Sequence, residues 1–233
     1  MAENDRGDAI TNSTLNKLRA AVLGANDGIV SISALVMGVA GAGGEWHAIF
    51  IAGLAALVAG ALSMAVGEYV SVSSQSDAEK SFIAREKRML KENPGAELEE
   101  LAEAYIEQGV SKETAHVVAK ELTKNDALKA HLRIHFNLDE NDLNNPMHAA
   151  VSSLLAFAVG GSIPFLTIIL VPTGARVWAT TIAVVVALLF VGYLSASVGG
   201  ASRRHAMTRV LVGGLLAMAI TYGVGFLFGT NVG

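Results

Sequence analysis

The chain has 233 residues, of which 52% are apolar and 16% charged, with a net charge of −4, no cysteine and a mean hydropathy of +0.46. A soluble domain carries about 25% charged residues, so this composition points away from a water-soluble globular core, and the lack of cysteine removes disulfides and thiolate metal ligands. The basic residues are interleaved with acids, so no nucleic-acid partner is expected.

Residues 1–14 are polar and include Glu3, Asp5, Arg6 and Asp8, which is not the pattern of a signal peptide. Leu15, Leu18, Ala21 and Val22 then recur at helical spacing with Asn16, Lys17 and Arg19 between them. That pattern suits either a short helix lying at the membrane interface or an extension of the span that follows. Five apolar stretches come next: 20–42, 48–72, 149–171, 177–198 and 210–228. Each is long enough to cross a hydrocarbon core about 30 Å thick as a helix. The fold class is therefore all-α, an integral membrane protein with five transmembrane helices.

Two carboxylates stand out in the first two spans. Asp27 lies in "LGANDGIVSIS" and Glu68 in "SMAVGEYVSVSSQ", the latter after some twenty uncharged residues. On adjacent antiparallel helices the two fall at similar depth. An acid at a helix centre costs about 2.5–3.5 kcal/mol on insertion scales, and intramembrane acids mark ion or proton paths. Met64 lies one turn before Glu68, and a thioether beside carboxylates suits a transition metal better than Mg²⁺ or Ca²⁺. Glu45, in the loop "GAGGEWH", is expected to be solvated. Gly53, Gly60 and Gly67 recur every seven residues of span two with Ser63 among them, a row of small residues that lets another helix approach closely and suggests that span two lines an interface, such as one between subunits.

Between spans two and three, residues 77–142 form a polar insertion holding ten of the basic residues, from Lys80 to Arg133. Together with Arg6, Lys17, Arg19 and the Arg203–Arg204 turn, this bias predicts that the N-terminus and the insertion are cytoplasmic and the C-terminus outside. The expected domains are 1–75 (N-terminal segment with spans one and two), 76–145 (a cytoplasmic helical domain) and 146–233 (spans three to five).

Four helices are predicted in the insertion. The first covers 76–92, stopped by Asn93-Pro94-Gly95; the second 97–108, with Leu98, Leu101, Ala102 and Tyr105 as its apolar stripe; the third about 111–123, capped by Ser111; the fourth 126–136. The polar turn "NLDENDLNNP" follows, and Pro146 starts span three. The second helix carries Glu97, Glu99, Glu100, Glu103 and Glu107 with no Lys or Arg. Like charges at such spacing repel by a few tenths of a kcal/mol per pair. This is either a solvated acidic face helped by the helix dipole or a divalent-cation site. His131 and His135, at i and i+4, can face one ion. Glu113-x-x-His116 has the spacing of di-iron bundles, but such sites need two motifs; it reads as surface.

The stretches "LGANDGIVSISALVMGVAGA" and "AGALSMAVGEYVSVSSQSDAE", followed in order by "ELEELAEAYIEQGVS", "VAKELTKNDALKAH" and "FAVGGSIPFL", resemble the vacuolar iron transporter family over about residues 15–228. The resemblance implies a five-span homodimer that moves Fe²⁺, and often Mn²⁺, out of the cytosol in exchange for protons. In the family the ion path lies at the dimer interface, and a cytoplasmic helical domain gathers the metal. By that resemblance Asp27, Met64 and Glu68 match the path, and Glu86, Glu97 and Glu100 match metal-binding glutamates. Met89 and His135 stand where further glutamates are expected, and His131 falls near a methionine or histidine position; all three keep metal-binding atoms. No permanently bound cofactor is implied, the metal being cargo with a possible regulatory ion in the helical domain.

Energetics favours the same reading. Moving a divalent cation out against −100 mV costs about 4.6 kcal/mol, twice the value per charge. There is no G-x-x-x-x-G-K-[ST] motif for ATP, so proton exchange through Asp27 and Glu68 is the economical drive. Pro164 and the glycines of span five are candidate bending points. Two alternatives are a membrane-anchored di-iron oxidase and a metal-binding scaffold without transport. A bacterial inner membrane suits the lack of a visible targeting segment.

Overall fold

Among the residues described by the computed structural model, 12–140 and 143–229, all regular structure is helical. Seven helices follow in order: α1 (Asn12–Gly41), α2 (Trp46–Glu92), α3 (Pro94–Glu107), α4 (Lys112–Phe136), α5 (Pro146–Leu170), α6 (Arg176–Gly199) and α7 (Arg203–Gly229). Five of them, α1, α2, α5, α6 and α7, are long and apolar enough to cross a membrane. Residues 1–11 and two residues of the "NLDENDLNNP" turn lie outside the described residues, and so does the expected polar N-terminal segment.

The helix ends follow local chemistry. Gly43, at φ +78, turns the chain between α1 and α2, a conformation open to glycine at no steric cost. Pro94 opens α3, where its missing N–H costs nothing, and Ser111 caps α4 by accepting the Thr114 N–H. Gly200, at φ +64, closes α6.

Three boundaries differ from expectation or resolve it. The Leu15–Val22 stretch is the beginning of α1, so it extends span one. No boundary exists at Ser76: with neither Gly nor Pro between Glu68 and Glu92, α2 continues for 47 residues, about 70 Å at 1.5 Å per residue. The third and fourth insertion helices are two halves of α4, broken at Asp126 (φ −162, ψ 93). There the Asp126 carboxylate accepts the Lys129 N–H at 3.0 Å and caps the second half.

The described residues divide into two compact units, Ser71–Asn145, and Thr14–Val70 with 146–229. In the second unit, α5 packs on α6 and α6 on α7. Phe157, Ile29, Ile32, Val36, Ile168 and Leu188 form the centre of its core. Glycine sets the closest contacts. A Cβ at Gly28 would collide with the Phe157 carbonyl, one at Gly24 would lie 2.6 Å from the Ser153 carbonyl, and one at Gly160 would collide with that of Ala25. Helices α1 and α5 thus meet backbone to backbone, the close approach that small residues allow in a bilayer. Gly53 and Gly60 seat the rings of Phe165 and Phe157 of the same chain, whereas Gly67 has open space beside it. Two of the three glycines in that row therefore serve packing within the subunit. In span five, Gly214 and Gly225 likewise abut Leu188 and Gly38. Outward-facing residues such as Ile51, Val58, Leu62 and Val66 on α2 and Leu216, Ile220 and Phe226 on α7 are apolar, as a lipid-facing surface requires.

In the other unit, α3 packs on α4 through Leu101, Ala102 and Ala119, flanked by Leu98, Tyr105, Leu122, Ala130 and Ile134. Phe82 of α2 stacks on Phe136 of α4 with centroids 4.9 Å apart.

Candidate metal centre

Along the C-terminal half of α2, Val72, Ser76, Glu79, Ile83 and Glu86 are buried. Steps of three and four place them on one face of a helix. Glu86 ends this buried stripe. Glu97 stands in the first turn of α3, held there by the Asn93-Pro94 start, and its own N–H donates to the Asn93 carbonyl at 3.1 Å. The positive end of the α3 dipole favours a carboxylate in that turn. His131 lies in the half of α4 that follows the Asp126 break.

These three side chains converge. Glu86 Oε1 is 2.9 Å and Glu97 Oε2 3.7 Å from His131 Nδ1, and one ligand atom from each lies within 4.8 Å of the others. All three side chains are almost wholly buried, with His131 at 0% exposure. Although Glu86 is close to the ring, the angles are not those of a hydrogen bond. Both ring nitrogens of His131 and Oε2 of Glu97 have no hydrogen-bond partner. A buried polar group left in that state costs about 1–3 kcal/mol, and three in one place call for a shared partner.

The electrostatics give the same picture. Burial raises the Glu97 carboxyl above its ordinary value, reinforced by the neighbouring charges of Glu100 and Glu86. Burial lowers the His131 imidazole, opposed in part by Glu86. Burial thus favours the neutral ring, the form that binds metals, while two carboxylates are forced together. A divalent cation would relieve their repulsion and satisfy the ring. Two carboxylates and an imidazole suit Mn²⁺, Fe²⁺ or Zn²⁺.

The remaining residues of this set adjoin the centre less closely. Glu100 Oε1 is 3.7 Å from His135 Nε2, with both side chains partly exposed, and the His131 and His135 rings are 5.5 Å apart. Met89 is half-buried one helical turn after Glu86. The acidic helix therefore divides: Glu97 turns inward, while Glu99, Glu103 and Glu107 are exposed. Glu113 is exposed too. His116 instead reaches Glu99 Oε2 at 2.8 Å through Nε2 and the Lys112 carbonyl at 2.7 Å through Nδ1.

In the membrane unit, Glu68 is buried and accepts a charge-assisted hydrogen bond from Arg19 Nη2 at 3.2 Å. Asp27 is half-buried and accepts the Ser31 hydroxyl at 2.7 Å. Met64 packs at the edge of the core. Among the described residues, no group of three carboxylates or imidazoles converges in this unit as it does around His131.

Sequence reasoning missed two residues. Arg19 counted only as one of the basic residues setting orientation, although a cation opposite an isolated intramembrane acid is its natural partner. Glu79 is buried, with Oε1 accepting from Gln75 at 2.8 Å and Oε2 unpartnered. Its position one heptad before Glu86 on the same stripe was the signal.

With this geometry established, comparison with known proteins adds a consistent result. The model of the VIT family matches residues 18–226. A vacuolar iron transporter of Acanthamoeba castellanii is 43% identical over 218 residues, 93% of this chain and 80% of that protein. Vacuolar iron transporter homolog 1 of Oryza sativa subsp. japonica is 41% identical over 92% of this chain and 75% of its own length, and homolog 1 of Arabidopsis thaliana 37% identical over 92% and 84%. These relatives are named as transporters, not enzymes. They come from an amoeba and two plants, and lend no support to the bacterial origin expected from the sequence.

Proposed function

The chain belongs to the VIT family, and we propose that it exports Fe²⁺, and Mn²⁺ as a second substrate, from the cytosol across its membrane in exchange for protons. The observation that carries this reading is the buried trio Glu86, Glu97 and His131, whose ligand atoms crowd within 4.8 Å while the ring nitrogens lack hydrogen-bond partners. In this reading the Ser71–Asn145 unit is cytoplasmic and collects the ion through the trio, with Met89, Glu100 and His135 as flanking donors. Asp27, Met64 and Glu68 line the route through the membrane unit. Arg19 pairs with Glu68 until the metal arrives, and protons from the far side displace the metal from Asp27 and Glu68. The working form is a homodimer, consistent with the open space beside Gly67 and the apolar outer face of α2.

The test is metal entry into proteoliposomes with an acidic interior, under anaerobic conditions and with interior pH recorded. Wild type is expected to accumulate Fe²⁺ with matched alkalinisation, and Glu68→Ala to lose both. Flux that persists in Glu68→Ala, or proceeds without proton movement, would sink the antiport reading. Oxygen consumption on adding Fe²⁺ would instead favour an oxidase.

A further inference from the structure

Helices α6 and α7 contain no Asp or Glu at all. Arg203, Arg204 and Arg209 stand at the start of α7, and Arg19 stands at the corresponding end of α1. Arg203 lies over the Tyr193 ring at 4.9 Å. Arg19 spends one N–H on Glu68, leaving the rest of a guanidinium with five donors. Arg209 has no ion-pair partner among the described residues. An arginine near hydrocarbon without a counter-anion is costly, so this end of the bundle is short of negative charge.

Arg19 and Arg209 line one cavity of about 550 Å³ between α1, α6 and α7. Arg19 is seven residues into α1 and Arg209 six into α7, about 10 Å along each helix, so the two lie at similar depth. The other walls are largely apolar, with Leu18, Val22 and Val191 shared with a second cavity of about 450 Å³ that is lined almost wholly by apolar side chains. The trough's α1 wall, Leu18, Ala21, Val22 and Ala25, brackets Arg19 along the helix, so the two cations stand beside an apolar trough.

We propose that the α1–α6–α7 cavity is a binding site for one anionic glycerophospholipid, with its phosphate between Arg19 and Arg209 and an acyl chain in the apolar trough. Basic pockets between transmembrane helices recognise anionic headgroups in this way. A zwitterionic lipid brings its own cation toward the two arginines and gains nothing from them. Because Arg19 also holds Glu68, the bound phosphate shares a guanidinium with the buried acid of the membrane unit.

The experiment is native mass spectrometry of the full, delipidated protein titrated with phosphatidylglycerol or phosphatidylcholine. The expected result is one phosphatidylglycerol bound per chain, at least tenfold tighter than phosphatidylcholine. Arg209→Gln reduces that preference to within about threefold, and Arg204→Gln, outside the cavity, leaves it unchanged. Arg209 is exposed, and thermal unfolding verifies that the variant is folded. If Arg209→Gln does not fold, Arg209→Met, which keeps the apolar stem and removes the charge, replaces it and must weaken phosphatidylglycerol alone. Equal affinity for the two lipids, or equal loss in the Arg204 and Arg209 variants, overturns the proposal. Displacement of the lipid by millimolar inorganic phosphate also overturns it, by showing an ion site without a role for the trough.

Discussion

Replacing Glu97 with glutamine keeps the shape of the side chain and removes one charge from the buried trio. The carboxylates of Glu86 and Glu97 bring oxygens within 4.8 Å of each other. At an effective dielectric constant of about 20, two full charges at that distance repel by about 3.5 kcal/mol. Part of this is relieved because Glu97 takes up a proton more readily than an ordinary carboxylate, its pKa being raised by burial, so about 1–2 kcal/mol is recoverable. With metal withheld by a chelator, Glu97→Gln should therefore melt higher than wild type, by about 2–8 °C for a chain of this size. Added Mn²⁺ should reverse the order, because the amide is a poorer ligand than a carboxylate. A loss of at least 10–100-fold in affinity is expected, the cost seen even for groups one shell further from a metal. Differential scanning fluorimetry with and without Mn²⁺, alongside isothermal titration calorimetry, reads both halves. A variant less stable without metal and unchanged in affinity would refute the reasoning, because Glu97 would then be a structural acid rather than a strained ligand.

Other substitutions probe the frame around the site. Gly28→Ala places a methyl group against the backbone of Phe157 and Gly161, which cannot move aside; a loss of about 1–3 kcal/mol is expected, while Gly67→Ala, facing open space, should unfold no earlier than wild type in detergent. Asp126→Ala removes the cap of the second half of α4 and should cost about 1 kcal/mol, read by chemical unfolding with the chelator present. Acid should empty the metal centre: His131 binds metal as the neutral ring and is lowered from its ordinary value, and Glu97 binds as the carboxylate, so Mn²⁺ affinity measured by calorimetry should hold above pH 6.5 and fall as the pH drops below it. His116 shifts in the opposite sense to His131, raised by the Lys112 carbonyl and then by Glu99. Its tie to Glu99 is fully present below pH 6.5 and lost as pH rises through the raised folded value, so its NMR titration midpoint should lie above 6.5 and drop in Glu99→Gln.

The spans were legible because a bilayer demands a long uncharged run, and no packing detail is needed to find one. Asn93-Pro94-Gly95 and Ser111 were equally plain, since they act on the residues beside them. The Ser76 boundary was misread because a change from apolar to polar composition looks like an ending, whereas a helix ends only where its backbone is interrupted. The metal centre was legible in kind but not in membership. Glu86, Glu97 and His131 come from three helices, and only the folding of α3 and α4 shows that Glu97 rather than Glu99 or Glu103 turns inward. Pairing of Arg19 with Glu68, 49 residues apart, is likewise a tertiary fact.

The glycine contacts of α1 have a mechanical consequence. Near one end α1 meets α5 through Gly24, Gly28 and Gly160, and near the other it meets α7 through Gly38, Gly41 and Gly225, each contact being against backbone atoms. A helix clamped by main chain at both ends cannot roll about its axis without prying its neighbours apart. Asp27 lies within the first clamp, between Gly24 and Gly28, and so is carried by a frame made of α1, α5 and α7. Helix α2 meets its neighbours differently: Gly53 and Gly60 press on phenylalanine rings, which can tilt, and Gly67 presses on nothing. Glu68 therefore rides on a helix whose glycine contacts yield more easily than those of α1, so a change in its distance from Asp27 costs less when α2 moves than when α1 does.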